Sequence, residues 1–170
     1  MNLLCLRPNI VTINPVFAIH MLRSNIIRKG ITDITKPAVN QASFSAKDFG
    51  KLRPIIPPMA KQMQFVSIAK QADKSKFGDF KSQFIEIFYG METTPVKDYI
   101  DDSFPGEWGT EDKDGNGVKV IRTTNFTNSG KLNLADVVTR SIEDRKVVRK
   151  QIKKYDTILE RSGGTADNPV

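Results

Sequence analysis

The sequence predicts an α+β fold built around a long, projecting α-helix. Three observations predict it. A helical pattern of about thirty residues occupies the middle of the chain, from the double proline Pro57-Pro58 to Phe88. A shorter helical pattern precedes it, at residues 15–28. A β-branched alternating run and a basic helix follow it. At 170 residues the chain has room for one large domain or for one and a half small ones.

The elements follow in order. In "INPVFAIHMLRSNIIRKG", Asn14 reads as an N-cap, Pro15 as the first helical residue and Gly30 as a stop. "ITDITKPAVNQASFSA" is turn-rich and reads as short strands, after which Ser45 caps a short helix through "AKDFGKL". "RPIIPP" is extended, because each proline pushes its predecessor out of the helical region.

In the central stretch Phe65, Val66, Ala69, Ala72, Phe77, Phe80, Phe84, Ile87 and Phe88 recur at helical spacing on one face. Thirty helical residues would span roughly 45 Å, more than a domain of about 100 residues is wide. The helix is therefore expected to project, with its phenylalanine stripe awaiting a partner. The alternative is a kinked pair of helices inside an ordinary core, since Gly78 weakens the pattern.

Gly90 closes the helix, and "TTPVKDYIDDSFPGEWGTEDKDGNG" reads as loop. "VKVIRTTNFT" reads as a strand from Val118 to about Thr124. "SIEDRKVVRKQIKKY" reads as a helix with Ser141 and Asp144 in a capping-box pattern. Val147, Val148, Ile152 and Tyr155 are expected on one side of it, and Arg145, Lys146, Arg149, Lys150 and Lys153 largely on the other. "DTILERSGG" reads as a strand entering a glycine turn.

Composition narrows the function. Hydrophobic residues make up 39% and charged residues 26%, which excludes a wholly disordered chain. The single cysteine, Cys5, excludes a disulfide framework and a multi-cysteine zinc site, and fits a reducing compartment. One histidine, His20, leaves little for histidine-based metal or triad chemistry. No apolar stretch reaches transmembrane length, and "NLLCLRP" is too soon broken by Arg7 and Pro8 to be a signal peptide. The net charge of +7 is uneven: residues 1–58 carry 8 basic and 2 acidic groups, residues 91–170 carry 13 and 14. Arg140, Arg145, Lys146, Arg149, Lys150, Lys153 and Lys154 nonetheless crowd together. Such a focused cationic face attracts polyanions, or is simply a solvated surface.

Sites for chemistry are few. "DKDGNG" matches the start of an EF-hand loop at Asp112, Asp114, Asn116 and Gly117, but Thr123 stands where a bidentate Glu is needed. No metal, no cofactor and no catalytic constellation is expected. "DNPV" has the Asn-Pro pair of amino-methyltransferases without a glycine-rich cofactor loop. Arg122 and Arg161 each end an expected strand. Arginine forks are strong readers of guanine in a major groove, and lysines hold phosphates without reading sequence. The competing reading pairs both arginines with nearby acids such as Glu160.

"IIPPMAKQMQFVSIAKQADKSKF" followed by "KSQFIE" resembles the central spacer helix of the specificity subunit of type I restriction–modification enzymes. "GVKVIRTTNFTNSGKLNL" and "IKKYDTILERSGGTADNPV" are similar to the opening strands of a target-recognition domain in that family. "LLCLRPNIVTINPVFAIHMLRS" and "NQASFSAKDFGKLRPIIPP" look like the closing part of the preceding one. The resemblance implies partial α/β target-recognition lobes: the end of a first domain in 1–57, the spacer helix in 58–89 and the start of a second domain in 90–170.

It also implies a cytoplasmic, non-catalytic reader of a split double-stranded DNA target. Its partners would be methyltransferase subunits and, through them, the restriction subunit. The loops Arg122, Thr123, Thr124, Asn125 and Arg161, Ser162, Gly163 would approach bases, and Arg145, Lys146, Arg149, Lys150 and Lys153 phosphates. Phe77, Phe80, Phe84 and Phe88 would face a partner helix in a coiled-coil pair. Against the family pattern the first domain lacks its beginning, the second stops just after "RSGG" and the second spacer helix is absent, so either a truncated or frameshifted gene product or a fragment that assembles with a complementary one is expected. The competing function is a protein-interaction remnant that pairs through the helix with negligible DNA affinity.

Overall fold

The computed structural model describes residues 3–36, 42–72, 87–88, 90–127, 131–161, 164–165 and 168–169. It is a mixed α+β structure with antiparallel sheets. The first sheet has the order β2-β1-β6, with β1 (Leu3–Pro8) central between β2 (Ile100–Pro105) and β6 (Thr157–Glu160). Leu4 faces Pro105 on one side and Leu159 on the other; Cys5 faces Phe104 and Ile158. The apolar alternation of "LLCLRP" thus buries Leu4 and Leu6 on one face and Cys5 on the other.

Helices cover the Leu4 and Leu6 face. Asn14 caps α1 (Pro15–Leu22), its side chain accepting the Val16 and Phe17 N–H groups, as the sequence suggests. The expected single helix over 15–28 is corrected to two. Ser24 ends the first and caps α2 (Asn25–Ile34) by accepting the Ile27 N–H. Gly30 does not stop the chain; it lies inside α2, where an added Cβ would come 2.9 Å from the Leu52 side chain. The glycine therefore serves close packing. Ser45 caps α3 (Ala46–Lys51). Where short strands are expected in 31–46, the described residues form one bridge, Lys36 to Ser43.

The central helix is described as α4 (Met59–Ala72). Phe77, Phe80 and Phe84 lie outside the described residues. Phe65, Val66 and Ala69 of α4 are buried in the same core as α1, and so is Phe88 beyond it. The rings of Phe17, Phe65 and Phe88 form a three-way cluster with every centroid pair 5.7 Å apart. Over its described length α4 is therefore a core helix, and Phe88 faces inward where an exposed partner stripe is expected. The cause is α1, whose Phe17 face matches the α4 stripe.

Gln62 anchors the start of α4. It is fully buried. Its Oε1 accepts the Asn14 N–H at 2.8 Å, and its Nε2 donates to the Thr12 and Pro57 carbonyls at 3.0 and 2.8 Å. Gln62→Leu keeps the volume and strands three backbone groups. An unmatched buried group costs about 1–3 kcal/mol, so a loss of about 3 kcal/mol in chemical denaturation is the expected outcome.

The segment 91–111, read as loop, holds a 3₁₀ turn at Val96–Tyr99, then β2 and the short β3 (Thr110–Glu111). The second sheet has the order β3-β5-β4, with β4 (Val118–Val120) and β5 (Val138–Ser141). The strand expected over 118–124 is shorter because Thr123–Asn125 turns into a 3₁₀ segment. The expected helix over 141–155 is α5 (Asp144–Lys150), and Ser141 belongs to β5 instead of capping it. The short ribbons β7 (Gly164–Thr165) and β8 (Asn168–Pro169) pair with each other. Between residues 106 and 161 Asn125 is the one buried residue among those described, so the second sheet contributes nothing to the buried apolar core.

Strand pairing crosses the expected segment boundaries. β1 comes from 1–57, while β2 and β6 come from 90–170, yet the three are hydrogen-bonded neighbours. The join is reinforced from the side. Arg7 donates through Nε and Nη2 to the two Asp156 carboxylate oxygens at 3.0 and 2.9 Å, and Nη2 also donates to the Gln151 carbonyl. The Lys153 N–H donates to Asp156 at 2.8 Å.

Candidate nucleic-acid interface

A cleft of about 970 Å³ opens between the outer face of the first sheet and the second sheet with α5. Its floor is apolar, formed by residues such as Val118, Val120, Val147 and Ile158. Its walls bring together residues to which the sequence gives two separate roles. Arg122, Thr123 and Thr124 line one side, and Lys146 and Lys150 line the other.

Local structure explains the first wall. Asn125 is buried, and its side chain is fully used. Its Oδ1 accepts the Arg122 N–H at 2.8 Å, while its Nδ2 donates to the carbonyls of Asn133 at 3.2 Å and Asp136 at 2.9 Å. Asn125 thus ties the start of the 122–136 segment to its end. It fixes the backbone that presents Arg122, Thr123 and Thr124, and its amide is committed to main chain instead of to a base. Arg122 Nη2 donates to the Asp136 carboxylate and to the Asp136 carbonyl, both at 2.8 Å. The arginine therefore has an acidic partner, as the competing reading expects, although the acid is Asp136.

The second wall is α5, whose orientation differs from expectation. Lys146, Val147 and Lys150, and Ile152 just beyond the helix, line the cleft, while Val148 is 76% exposed and Tyr155 is half-exposed. The expected apolar side is thus split, because a helix of two turns rests on the cleft through one narrow stripe. The five basic residues fall into two groups. Lys150 donates to Glu107 at 2.7 Å, and Lys146 pairs with Glu143 at 3.3 Å. The Lys150 ammonium holds the Glu107 carboxyl below the usual carboxylate range. Arg145, Arg149 and Lys153 are exposed and carry no side-chain ion pair among the described residues. They form the outward cationic face.

Arg161 sits at the end of β6, half-buried, and its carbonyl accepts the Phe44 N–H at 3.3 Å. Ser162 and Gly163 lie outside the described residues. One feature at the cleft mouth has no counterpart in the sequence expectations. The Arg140 guanidinium stacks 4.5 Å above the Trp108 ring, and its Nε donates to the Trp108 carbonyl. The two residues are 32 apart in sequence, and the β3–β5 pairing brings them together.

The calcium-like "DKDGNG" stretch is a turn organised around its own acid. The Thr139 hydroxyl, and then the Gly117, Gly115 and Asn116 N–H groups, hold the Asp112 carboxyl below its ordinary range. Gly115 adopts φ +73°, where a side chain would be strained. Among the described residues no group of three or more His, Cys, Asp or Glu could hold a metal ion. Cys5 is buried, and burial, with the neighbouring Asp156, pushes its thiol up to about 12, so it stays protonated. No helix among the described residues is long and apolar enough to cross a membrane.

No protein-family model matches the chain, and no solved structure matches it. Among curated proteins, a stretch of 73 residues is 36% identical to a protein of Methanocaldococcus jannaschii provisionally named as the specificity subunit of the type I restriction enzyme MjaX. The match takes in 43% of this chain and 17% of the length of that relative, so it is a partial similarity to one region of a much longer protein.

Proposed function

We infer that this chain is a non-catalytic DNA-recognition component of a type I restriction–modification system. The observation that carries the inference is the 36% identity over 73 residues to the archaeal specificity subunit. The geometry supports it in a second way. Arg145, Arg149 and Lys153 form an exposed cationic face beside the cleft that Arg122, Thr123 and Thr124 line. The outward cations would hold phosphates, while the cleft wall lies nearer the bases.

The finer parts of the reading follow from the family resemblance. The division at residues 57 and 89 would separate parts of two recognition domains, with strands from both parts pairing in the β2-β1-β6 sheet. A split target and the docking of methyltransferase subunits, with the restriction subunit beyond them, belong to the same reading.

Fluorescence anisotropy with a labelled mixed-sequence duplex of about 30 base pairs tests it. The chain is expected to bind with an affinity that falls as salt rises. The triple change Arg145→Gln, Arg149→Gln, Lys153→Gln is expected to weaken binding. It should make the slope of log K against log salt shallower by about 0.9 for each phosphate that is no longer neutralised. Binding that is absent at low salt, or that ignores all three changes, overturns the reading.

A further inference from the structure

Arg122 is held in a poorly satisfied position. Its anionic partner, Asp136, has a side chain 86% exposed, whereas the Arg122 side chain is 25% exposed. An ion pair with so exposed an acid is weak, because water competes for the carboxylate. Among the described residues the Arg122 Nε–H is buried without a hydrogen-bond partner. A buried donor left unmatched raises the energy of the conformation that contains it. The backbone beneath is firm, since Asn125 clamps the Arg122 N–H, the Asn133 carbonyl and the Asp136 carbonyl. On leaving, Arg122 gives up an ion pair with an exposed acid and one main-chain bond, from Nη2 to the Asp136 carbonyl, while the base beneath it stays rigid.

We propose that Asp136 is a latch: its carboxylate stands in for nucleic acid on the Arg122 guanidinium, and DNA binding exchanges one anion for the other. The proposal rests on the DNA-recognition reading and adds a residue with a specific role. Asp136 makes no base contact. It positions Arg122 in the free protein, keeps the guanidinium from pairing with stray anions, and sets a threshold that only a ligand offering better acceptors passes. Guanine O6 and N7, or a phosphate, offer a planar fork two acceptors at once. Release also frees the Nε–H to find a partner.

The test uses the full chain and the same mixed-sequence duplex. Four proteins are compared with wild type: Asp136→Asn, Arg122→Gln, the double variant, and Asp114→Asn. The last removes an exposed turn acid that makes no ion pair among the described residues, and so measures the effect of one negative charge alone. Asp136→Asn is expected to tighten binding about two- to fivefold beyond Asp114→Asn, the range an exposed ion pair spans. In the double variant that gain is expected to vanish. Thermal denaturation checks that Asp136→Asn remains folded, which its exposure favours. A gain equal to that of Asp114→Asn, or one that persists without Arg122, overturns the latch while leaving DNA recognition intact. Absence of duplex binding by every protein in the set overturns both.

Discussion

Phe65→Ala is expected to lower the melting temperature by about 6–20 °C, from the cost of truncating a buried ring. Phe65 is buried between the Phe17 and Phe88 rings, each 5.7 Å away, on a helix whose Val66 and Ala69 are buried with it. Truncating a buried phenylalanine costs about 3–5 kcal/mol, the larger values arising where neighbours cannot collapse into the space. Two flanking rings resist such collapse. For a chain of this size each kcal/mol moves the midpoint by about 2–4 °C. The same change separates two architectures. On a helix standing clear of its own core, Phe65→Ala would move the midpoint by about a degree, in keeping with surface substitutions. A large drop in a melting scan therefore establishes that the first half of the central helix is core in this chain.

The second large effect is expected at Asp156. Its side chain is 1% exposed, and it binds Arg7, itself 20% exposed, through both oxygens. Burial alone pushes the Asp156 carboxyl up. The hydrogen bonds from Arg7 and the Lys153 N–H, together with the Arg7 charge, outweigh this and hold it below the usual range. Asp156→Asn removes the anion and leaves the guanidinium half of a mostly buried pair uncompensated. Losses at such pairs run about 3–5 kcal/mol, and the partial exposure of Arg7 sets the expectation at about 3 kcal/mol. The pH dependence carries its own signature. A carboxyl depressed in the folded state stabilises above its unfolded pKa, and that stability is lost as pH falls through the folded value. The gap between wild type and Asp156→Asn is thus expected to be constant near neutrality and to close below about pH 4. An Arg7→Met, Asp156→Asn double variant is expected to recover part of the loss, because it leaves no unpaired charge. Urea titrations at several pH values read both effects; a gap that stays open in acid would refute the assignment.

Features set by a few neighbouring residues are legible in the sequence. Asn14 and Ser45 cap their helices because the capping bond spans two or three residues. Cys5 lies in an apolar run and is buried. What depends on distant partners is not legible. "LLCLRP" carries no strand signal strong enough to stand alone, and it becomes a strand because 100–105 and 157–160 flank it. The acid- and proline-rich stretch after Gly90 reads as loop, yet Ile100–Pro105 is drawn into the sheet by β1. Gly30 looks like a helix stop because the packing demand of Leu52 comes from another segment. The amphipathic pattern of 65–88 locates the buried residues Phe65, Val66, Ala69 and Phe88 but not what covers them. In the candidate interface, residue type singles out Arg122 and the α5 lysines. It misassigns Asn125, whose three bonds to main chain are invisible without the turn that creates them. Glu107, Trp108 and Asp136 escape notice for the same reason, their partners being 43, 32 and 14 residues away.

The central strand of the first sheet has a consequence for how the chain is made. Residues 3–8 leave the ribosome well before either neighbour, since β2 lies at 100–105 and β6 at 157–160. Closing loops of that length before any pairing rewards them makes folding slow. Until those strands are made Leu4, Cys5 and Leu6 have no strand to lie against, so the nascent chain shows a sticky apolar segment that chaperones are suited to hold.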